Sequence, residues 1–240
     1  MTMKILLLSD IHANFPALRA VMDFFVTSHF DAICNCGDSL VYGPFPNETL
    51  YWLQTHNVHS IVGNTDIKVK KLLQGKTFKK PSKPEKRIMY EWTAKHLDAS
   101  SKKYLLTLKK TGKLNIGGLS IGLFHGSPAN RNEFLFPDTP KERFRELANQ
   151  NSSDIIICGH SHTPFHQQTS STHFINPGSI GRMFDSNPAA SCAVLCINNK
   201  EVKIDFHRIR WPIKLMAQAL QFYNLPAIYL DMYKSGRKLN

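Results

Sequence analysis

Residue types that bind metal ions follow five short apolar runs of this 240-residue chain. The runs and the residues after them are Ile5–Leu8 with Asp10 and His12, Ala32–Cys36 with Asp38, Ser60–Val62 with Asn64, Ile121–Phe124 with His125, and Ile155–Cys158 with His160 and His162. Apolar runs of this length predict buried strands. Because ligands of open α/β sheets lie beyond the carboxyl ends of the strands, we expect these side chains to gather at one sheet edge.

The donor types indicate a site for two metal ions. Imidazole and carboxylate groups together suit Zn, Fe, Mn or Ni, and the absence of thiolates argues against a structural cysteine site. Two Asp, one Asn and four His are too many ligands for one tetrahedral ion, but they suit two ions that share a carboxylate. The pairs Asp10-x-His12 and His160-x-His162 place alternate residues close together, so that one pair can reach neighbouring ions.

Helices alternate with these strands and must hold them in place. Apolar residues at spacings of three and four predict a helix from Phe15 to Phe25, and further helical patterns cover Asn47–Gln54 and Ile213–Phe222. Residues 65–110 are also predicted to be helical, with two internal breaks, and residues 164–207 are predicted to be mostly strands. The alternation of strands and helices predicts βαβ units with parallel strands.

Composition restricts the class of protein. Hydrophobic residues make up 42% and charged residues 20%, which supplies a core and excludes global disorder, so we expect one domain over residues 1–240. No apolar run approaches the roughly 20 residues of a membrane span, and no signal-peptide cleavage site follows the start, so we expect a cytoplasmic protein that does not span a membrane. Five cysteines without a CxxC pair predict buried thiols.

The net charge of +12 comes from one segment. Residues 68–113 contain 15 Lys and Arg residues against three acidic ones, and we name the helical stretch of about 66–110 the Lys-rich insert. It either attracts a polyanion, such as a dinucleotide polyphosphate or nucleic acid, or forms a solvated face, and we favour the solvated face. The spacing of Tyr90, Trp92 and Tyr104 predicts packing rather than base stacking.

Five motifs in order resemble the signature blocks of the calcineurin-like metallophosphoesterases. They are Asp10-Ile-His12, the stretch from Gly37-Asp38 to Pro44, Gly63-Asn64-Thr-Asp66, His125-Gly-Ser-Pro128 and Gly159-His160-Ser-His162. The chain looks like the branch of predicted phosphodiesterases related to diadenosine tetraphosphatase, and Asn176-Pro-Gly-Ser179 and Leu225-Pro226 also match that branch. Any single motif is a weak signal, but five in this order, each after an apolar run, are a strong one, and the resemblance covers nearly the whole chain.

The resemblance implies a fold and a set of ligands. The implied fold is α/β: a four-layer αββα sandwich of two mixed β-sheets flanked by helices. The implied first metal is bound by Asp10, His12 and His162, the second by Asn64, His125 and His160, and Asp38 bridges both. The cofactors are thus two divalent or trivalent ions, with Mn, Fe, Zn and Ni all acceptable to these ligands.

The implied reaction is dinuclear metal-dependent hydrolysis of a phosphodiester or nucleotide polyphosphate. Two ions about 3.5–4 Å apart clamp the phosphate and supply hydroxide, which attacks phosphorus in line with the leaving oxygen. The expected substrate is small, phosphorylated and nucleotide-like, and the oligomeric state is open. The alternatives are a binding or regulatory module with little catalysis, or a nucleic-acid-binding protein on the same fold.

One position departs from the family. Many members have His where this chain has Thr65, and that His is thought to protonate the leaving group while the following Asp orients it. A hydroxyl is a poor acid at pH 7, and general acid catalysis is typically worth roughly 10²–10⁴-fold. We therefore expect a preference for substrates with good leaving groups, and we assign Asn64 and Asp66 as catalytic candidates.

Three further residues are candidates for substrate binding, each with an alternative role. Asn14 precedes Phe15-Pro16, a position that favours a helix cap over a substrate contact. Tyr42 either lines the pocket or holds the turn after Asp38. Arg182 either reaches a phosphate or is a solvated side chain.

Overall fold

The computed structural model describes all residues from 1 to 240 and contains two five-stranded sheets. The strands are β1 (Met3–Leu8), β2 (Ala32–Asn35), β3 (His59–Ser60), β4 (Gly112–Ile116), β5 (Leu119–Leu123), β6 (Ile155–Ile157), β7 (Phe165–Thr169), β8 (Thr172–Asn176), β9 (Ala190–Asn198) and β10 (Glu201–Ile209). The helices are α1 (Phe15–Phe24), α2 (Pro46–Thr55), α3 (Asn64–Leu73), α4 (Pro84–His96), α5 (Ala99–Thr107), α6 (Lys141–Asn149), α7 (Ile213–Phe222) and α8 (Ile228–Ser235).

Both sheets mix parallel and antiparallel strands. The first has the order β10-β9-β1-β2-β3, in which β1, β2 and β3 are parallel and β9 is antiparallel to both of its neighbours. The second has the order β4-β5-β6-β8-β7, in which β5, β6 and β8 are parallel and the two edge strands are antiparallel. The expected α/β sandwich with two mixed sheets is confirmed.

Alternation along β1 shows how the layers form. Ile5 and Leu7 pack in the core between the two sheets, whereas Leu6 and Leu8 pack in a larger core against the helices. All four side chains are fully buried, because successive residues of a strand point to opposite faces. Across the second sheet, Ile156 joins Phe144 and Leu147 of α6 in a third core. Helices therefore cover the outer face of each sheet.

Most predicted elements are found close to their expected bounds. Residues 65–110 form three helices, α3, α4 and α5; the predicted breaks at Gly75 and Pro81/Pro84 both lie between α3 and α4, and the break between α4 and α5 was not predicted. The parallel pairs β1–β2 and β5–β6 confirm the βαβ prediction, but the strands divide between two sheets instead of forming one. Helix α8 was not predicted. The core-like spacing of Tyr90 is confirmed, since only 1% of it is exposed.

No helix of the structure has the length and apolar character needed to cross a membrane. The five cysteines are all free thiols, and four of them are buried, as the sequence predicted. Cys34 and Cys36 pack among aliphatic side chains, and burial raises the pKa of the Cys34 thiol to about 12.

Candidate metal centre

Loops after strands of both sheets meet at one edge of the sandwich. The amide of Asp10, after β1, donates to the carbonyl of Gly37, after β2, at 2.9 Å. Gly159, after β6, donates to the carbonyl of His125, after β5, at 2.8 Å. The amide of His160 then donates to the Asp10 carboxylate at 2.9 Å, which joins the two sheets. The predicted ligands thus converge at the edges of two adjacent sheets.

Unusual backbone conformations aim these side chains. Asp10, His12, Asp38, His160 and His162 all have positive φ angles, between 51° and 67°. Residues other than glycine rarely adopt this region, and such strain clusters at functional sites. The side chains are therefore directed by strained backbone conformations, and the surrounding hydrogen bonds must stabilise these conformations.

The side chains form two groups whose donor atoms could each hold one ion. The first contains Asp10, His12 and His162, and the second contains Asp38, His125 and His160; within each group the donor atoms lie within 4.8 Å of one another. Asp38 also connects the groups. One of its carboxylate oxygens lies 3.4 Å from His125 Nε2, and the other lies 4.0 Å from His12 Nε2.

Three of the histidines are oriented in the same way. The Nδ1 atoms of His12, His125 and His162 lie against the backbone carbonyls of Leu40, Cys36 and Arg182, respectively. Because a carbonyl only accepts, Nδ1 must carry a proton, and Nε2 is the ring nitrogen that faces the centre. Backbone partners of this kind fix metal-binding histidines in many sites.

Asn64 and Asp10 show that the donor set fits a cation. The side-chain oxygen of Asn64 lies 3.0 Å from both His125 Nε2 and His160 Nδ1, and its amide nitrogen lies 3.1 Å from Lys68 Nζ. Hydrogen bonding alone favours the reversed amide, whereas an ion among these ligands favours the oxygen facing inward. Asp10 Oδ1 is buried and accepts no hydrogen bond, so it too is available as a ligand.

Charge and burial prepare the ligands. Burial lowers the pKa of His12 to about 3 and that of His160 to about 4, so both rings are neutral donors near pH 7. Burial also disfavours protonated His125, but the adjacent Asp38 carboxylate outweighs it and raises the His125 pKa to about 9. Since a ligand must lose its proton to bind a metal, ion binding competes with that proton.

With this geometry established, sequence comparison identifies the family. A profile of the calcineurin-like phosphoesterase superfamily domain matches residues 3–200. The chain belongs to this superfamily. It is a metal-dependent phosphoesterase, which confirms the resemblance of the five motifs and the predicted enzyme class.

Relatives of this phosphoesterase support the assignment. The uncharacterized protein MJ0912 of Methanocaldococcus jannaschii is 30% identical over 92% of this chain and 93% of its own length. Phosphodiesterase YfcE of Escherichia coli strain K12 is 24% identical over 78% of this chain and 85% of its own. A metallophosphoesterase from Sphaerobacter thermophilus shares the fold, with a TM-score of 0.81 at 24% identity over 98% of this chain and 100% of its own.

Asp66 and Thr65 are occupied by hydrogen bonds within the protein. The Asp66 carboxylate is fully buried and accepts from the amides of Ser39, Leu40 and Gly63 at 2.9–3.2 Å. It fixes the loop after Asp38 and does not line the cavity of the phosphoesterase centre. The Thr65 hydroxyl donates to the carbonyl of Leu40 at 3.1 Å. Both geometries favour structural roles for these two side chains.

The three candidates for substrate binding differ in outcome. Asn14 is fully buried and caps α1, with its oxygen accepting from Ala17 and its amide donating to Gly181, so the helix-cap interpretation holds and no polar atom remains for a substrate. Tyr42 and Arg182 both line a cavity of about 140 Å³ that includes His12, Asp38 and His160. The structure therefore brings two of the three to the centre.

Arg182 is a buried cation without a carboxylate partner. It is 7% exposed, its guanidinium stacks on the Tyr42 ring at 3.9 Å, and its Nε makes no hydrogen bond. A solvated arginine is therefore excluded. Aromatic contacts with Tyr42 and Tyr229 hold the guanidinium at the cavity wall, where it adds positive charge.

Two residues beside the predicted ligands were missed by sequence reasoning. Phe134 is half-exposed and stacks on the His160 ring at 4.1 Å, but it lies in a loop with no periodic signal. Lys68 lies one helical turn after Asn64, so helical spacing from a predicted ligand could have identified it.

Proposed function

We propose that this chain hydrolyses a phosphodiester or nucleotide polyphosphate with two metal ions at the candidate centre. The observation that carries the proposal is the sharing of Asp38 between the two groups of donor atoms. Asp10, His12 and His162 would hold one ion, Asn64, His125 and His160 would hold the other, and Asp38 would contact both. When bound, the ions supply Lewis acidity and a water of lowered pKa.

The protein's own residues bind and orient the phosphate. Arg182 lines the cavity and has no carboxylate partner, so its guanidinium is placed to donate to a non-bridging phosphate oxygen. Tyr42 stacks beneath the guanidinium and limits its movement. The Asn64 amide nitrogen faces away from the ligand atoms and can donate to the substrate. Phe134 leaves an exposed aromatic surface at the mouth for an apolar or aromatic leaving group.

Asp66 is proposed as a positioning residue rather than a catalytic one. Its carboxylate holds the backbone of Ser39, Leu40 and Gly63, and Thr65 donates its own amide to Asp38 at 2.7 Å. Together these contacts fix the shared carboxylate. Thr65 stands where many family members have a histidine, so that position gives the leaving group no strong proton donor.

A screen of metals against substrates tests the proposal. The protein is stripped with a chelator, reloaded separately with Mn, Fe, Zn or Ni, and assayed on aryl monoesters, aryl diesters and dinucleoside polyphosphates. We expect turnover of diesters or polyphosphates only after reloading, with about two ions per chain by elemental analysis. Bound metal without hydrolysis of any ester would instead favour the binding-module alternative.

A further inference from the structure

A second concavity opens beside the candidate centre. It has a volume of about 520 Å³, and Asn64 lines both this concavity and the cavity of the centre. Its lining contains five cations and no acidic residue, and we call it the basic groove; the cations are Lys68, Lys71, Lys79, Lys80 and Arg131. Positive charge at a concave surface concentrates the field that attracts anions.

Three separate segments build this groove. Asn64, Lys68 and Lys71 share one face of α3, since they are spaced by one and two helical turns. Residues 79 and 80 belong to the connection between α3 and α4, and Arg131 comes from the loop after β5. The α3 wall runs for roughly 10 Å from the centre. Convergence of distant segments distinguishes this groove from the rest of the Lys-rich insert.

The groove cations are not neutralised by the protein. Lysine and arginine ion pairs elsewhere involve Arg19, Arg143, Arg145, Lys203 and Arg208. None of the five groove cations contacts a carboxylate. An anionic ligand would therefore meet no competing acid in the groove.

The groove offers phosphate contacts rather than a stacking platform. Its one aromatic residue, Phe78, is covered on one face by the Arg87 guanidinium at 4.2 Å, and the Tyr90 ring packs against it with the ring centroids 5.1 Å apart. Arg87 also donates to the carbonyl of Lys79 at 3.2 Å, which fastens this wall to α4. Single-stranded nucleic acid is usually bound by free aromatic faces, so a short phosphate chain fits better.

We propose that the basic groove binds a phosphoryl group beyond the one that is hydrolysed. The substrate class is then a small molecule with several linked phosphates, such as a nucleoside or dinucleoside polyphosphate. This inference rests on the proposed function and narrows it. It also gives part of the Lys-rich insert a binding role, which the sequence alone did not favour.

The test compares two competitors of an aryl diester that carries one negative charge. Inhibition constants for tripolyphosphate and orthophosphate are measured with excess metal for the wild type, for K71Q/K79Q/R131Q, and for K95Q/K103Q/K113Q. The control variant removes the same charge from exposed residues outside the groove. We expect the groove substitutions to raise the inhibition constant of tripolyphosphate about tenfold more than that of orthophosphate. The control variant should have the inhibition constants of the wild type.

Other outcomes overturn the proposal. Equal inhibition of all three proteins would mean that tripolyphosphate acts by chelation or at the ions alone. If inhibition by tripolyphosphate weakened equally in both variants, the net charge of the protein, and not the groove, would explain the binding. A loss of affinity for a short single-stranded oligonucleotide with no loss for tripolyphosphate would assign the groove to nucleic acid.

A separate measurement distinguishes failure of the proposed function. Tripolyphosphate binding to the metal-loaded protein is followed directly by calorimetry. If tripolyphosphate binding depends on the groove residues but no ester is turned over, the proposed hydrolytic function is wrong and the binding role of the groove is supported. If esters are turned over but tripolyphosphate binding does not depend on the groove residues, the hydrolytic function is supported and the binding role of the groove is wrong.

Discussion

The candidate metal centre and the basic groove meet at Asn64 but are built in opposite ways. At the centre, His12 and Asp38 are nearly inaccessible to solvent, and His12 Nε2 lies 4.0 Å from the Asp38 carboxylate. In the groove, cations such as Lys71 and Arg131 are exposed and uncompensated. The centre depends on exact positions fixed by backbone contacts, whereas the groove depends on summed charge. Substitutions should therefore have large, local effects in one and small, salt-dependent effects in the other.

Replacing Asp38 with Asn should have the largest effect. The substitution removes the one carboxylate that faces both groups of ligands, so we expect turnover to fall by roughly 10³-fold or more and metal content to drop. Activity and elemental analysis check this, with thermal unfolding as the control for folding. Retention of more than a few per cent of activity would remove Asp38 from its assigned role.

Gly63→Ala should damage the centre almost as much, although it replaces no ligand. Gly63 has an ordinary backbone conformation, but an added Cβ would lie 2.1 Å from Asp38 Oδ1 and 2.4 Å from the Asp38 amide nitrogen. We expect loss of most activity and of bound metal. Gly75→Ala is the matched control, since its Cβ would meet no atom within 4 Å; its positive φ should cost about 1 kcal/mol of stability without loss of activity. Equal activity in both variants would contradict this account.

The lack of a general acid at position 65 should be measurable in a series of aryl and alkyl diesters that differ in leaving-group pKa. Because the Thr65 hydroxyl donates to Leu40, it cannot protonate the departing oxygen well. We expect kcat to fall steeply as the leaving-group pKa rises, by roughly 10²–10⁴-fold across the series, which is the usual value of general acid catalysis. A flat dependence would show that another residue supplies the proton.

Arg182→Gln should have an intermediate effect, because it changes substrate binding and not the ions. Loss of a charge-assisted contact to phosphate should lower kcat/KM by roughly 10- to 100-fold, while the metal content stays unchanged. Arg182→Lys keeps the charge but cannot stack on Tyr42 in the same way, and should recover part of the loss. Unchanged kcat/KM in the Gln variant would exclude Arg182 from the phosphate site.

Salt should give the smallest effect and should separate the two regions directly. Raising ionic strength from about 0.01 M to 0.15 M shortens the screening length from roughly 30 Å to 8 Å. We expect kcat/KM for a dinucleoside polyphosphate to fall several-fold, and that for a singly charged aryl diester to change less than about twofold. If kcat/KM fell equally with ionic strength for both substrates, the groove would not contribute to binding.

The sequence by itself determined the ligand types and their order. Buried strands must be apolar and must end before polar residues, so the positions of Asp10, Asp38 and His125 after such runs were readable without a structure. Helical periodicity likewise predicted α7 with the observed bounds, Ile213–Phe222. These are local properties, and the five motifs add the family.

Only the tertiary structure decided what lies beside the ligands. The backbone partners of Asp66, the burial of Arg182 and the hydrogen bond from Asn14 to Gly181 all depend on contacts between residues far apart in the chain. The same holds for the basic groove, where Lys79 and Arg131 approach from different loops. Sequence spacing gives the face of one element, but the packing of several elements determines which faces meet.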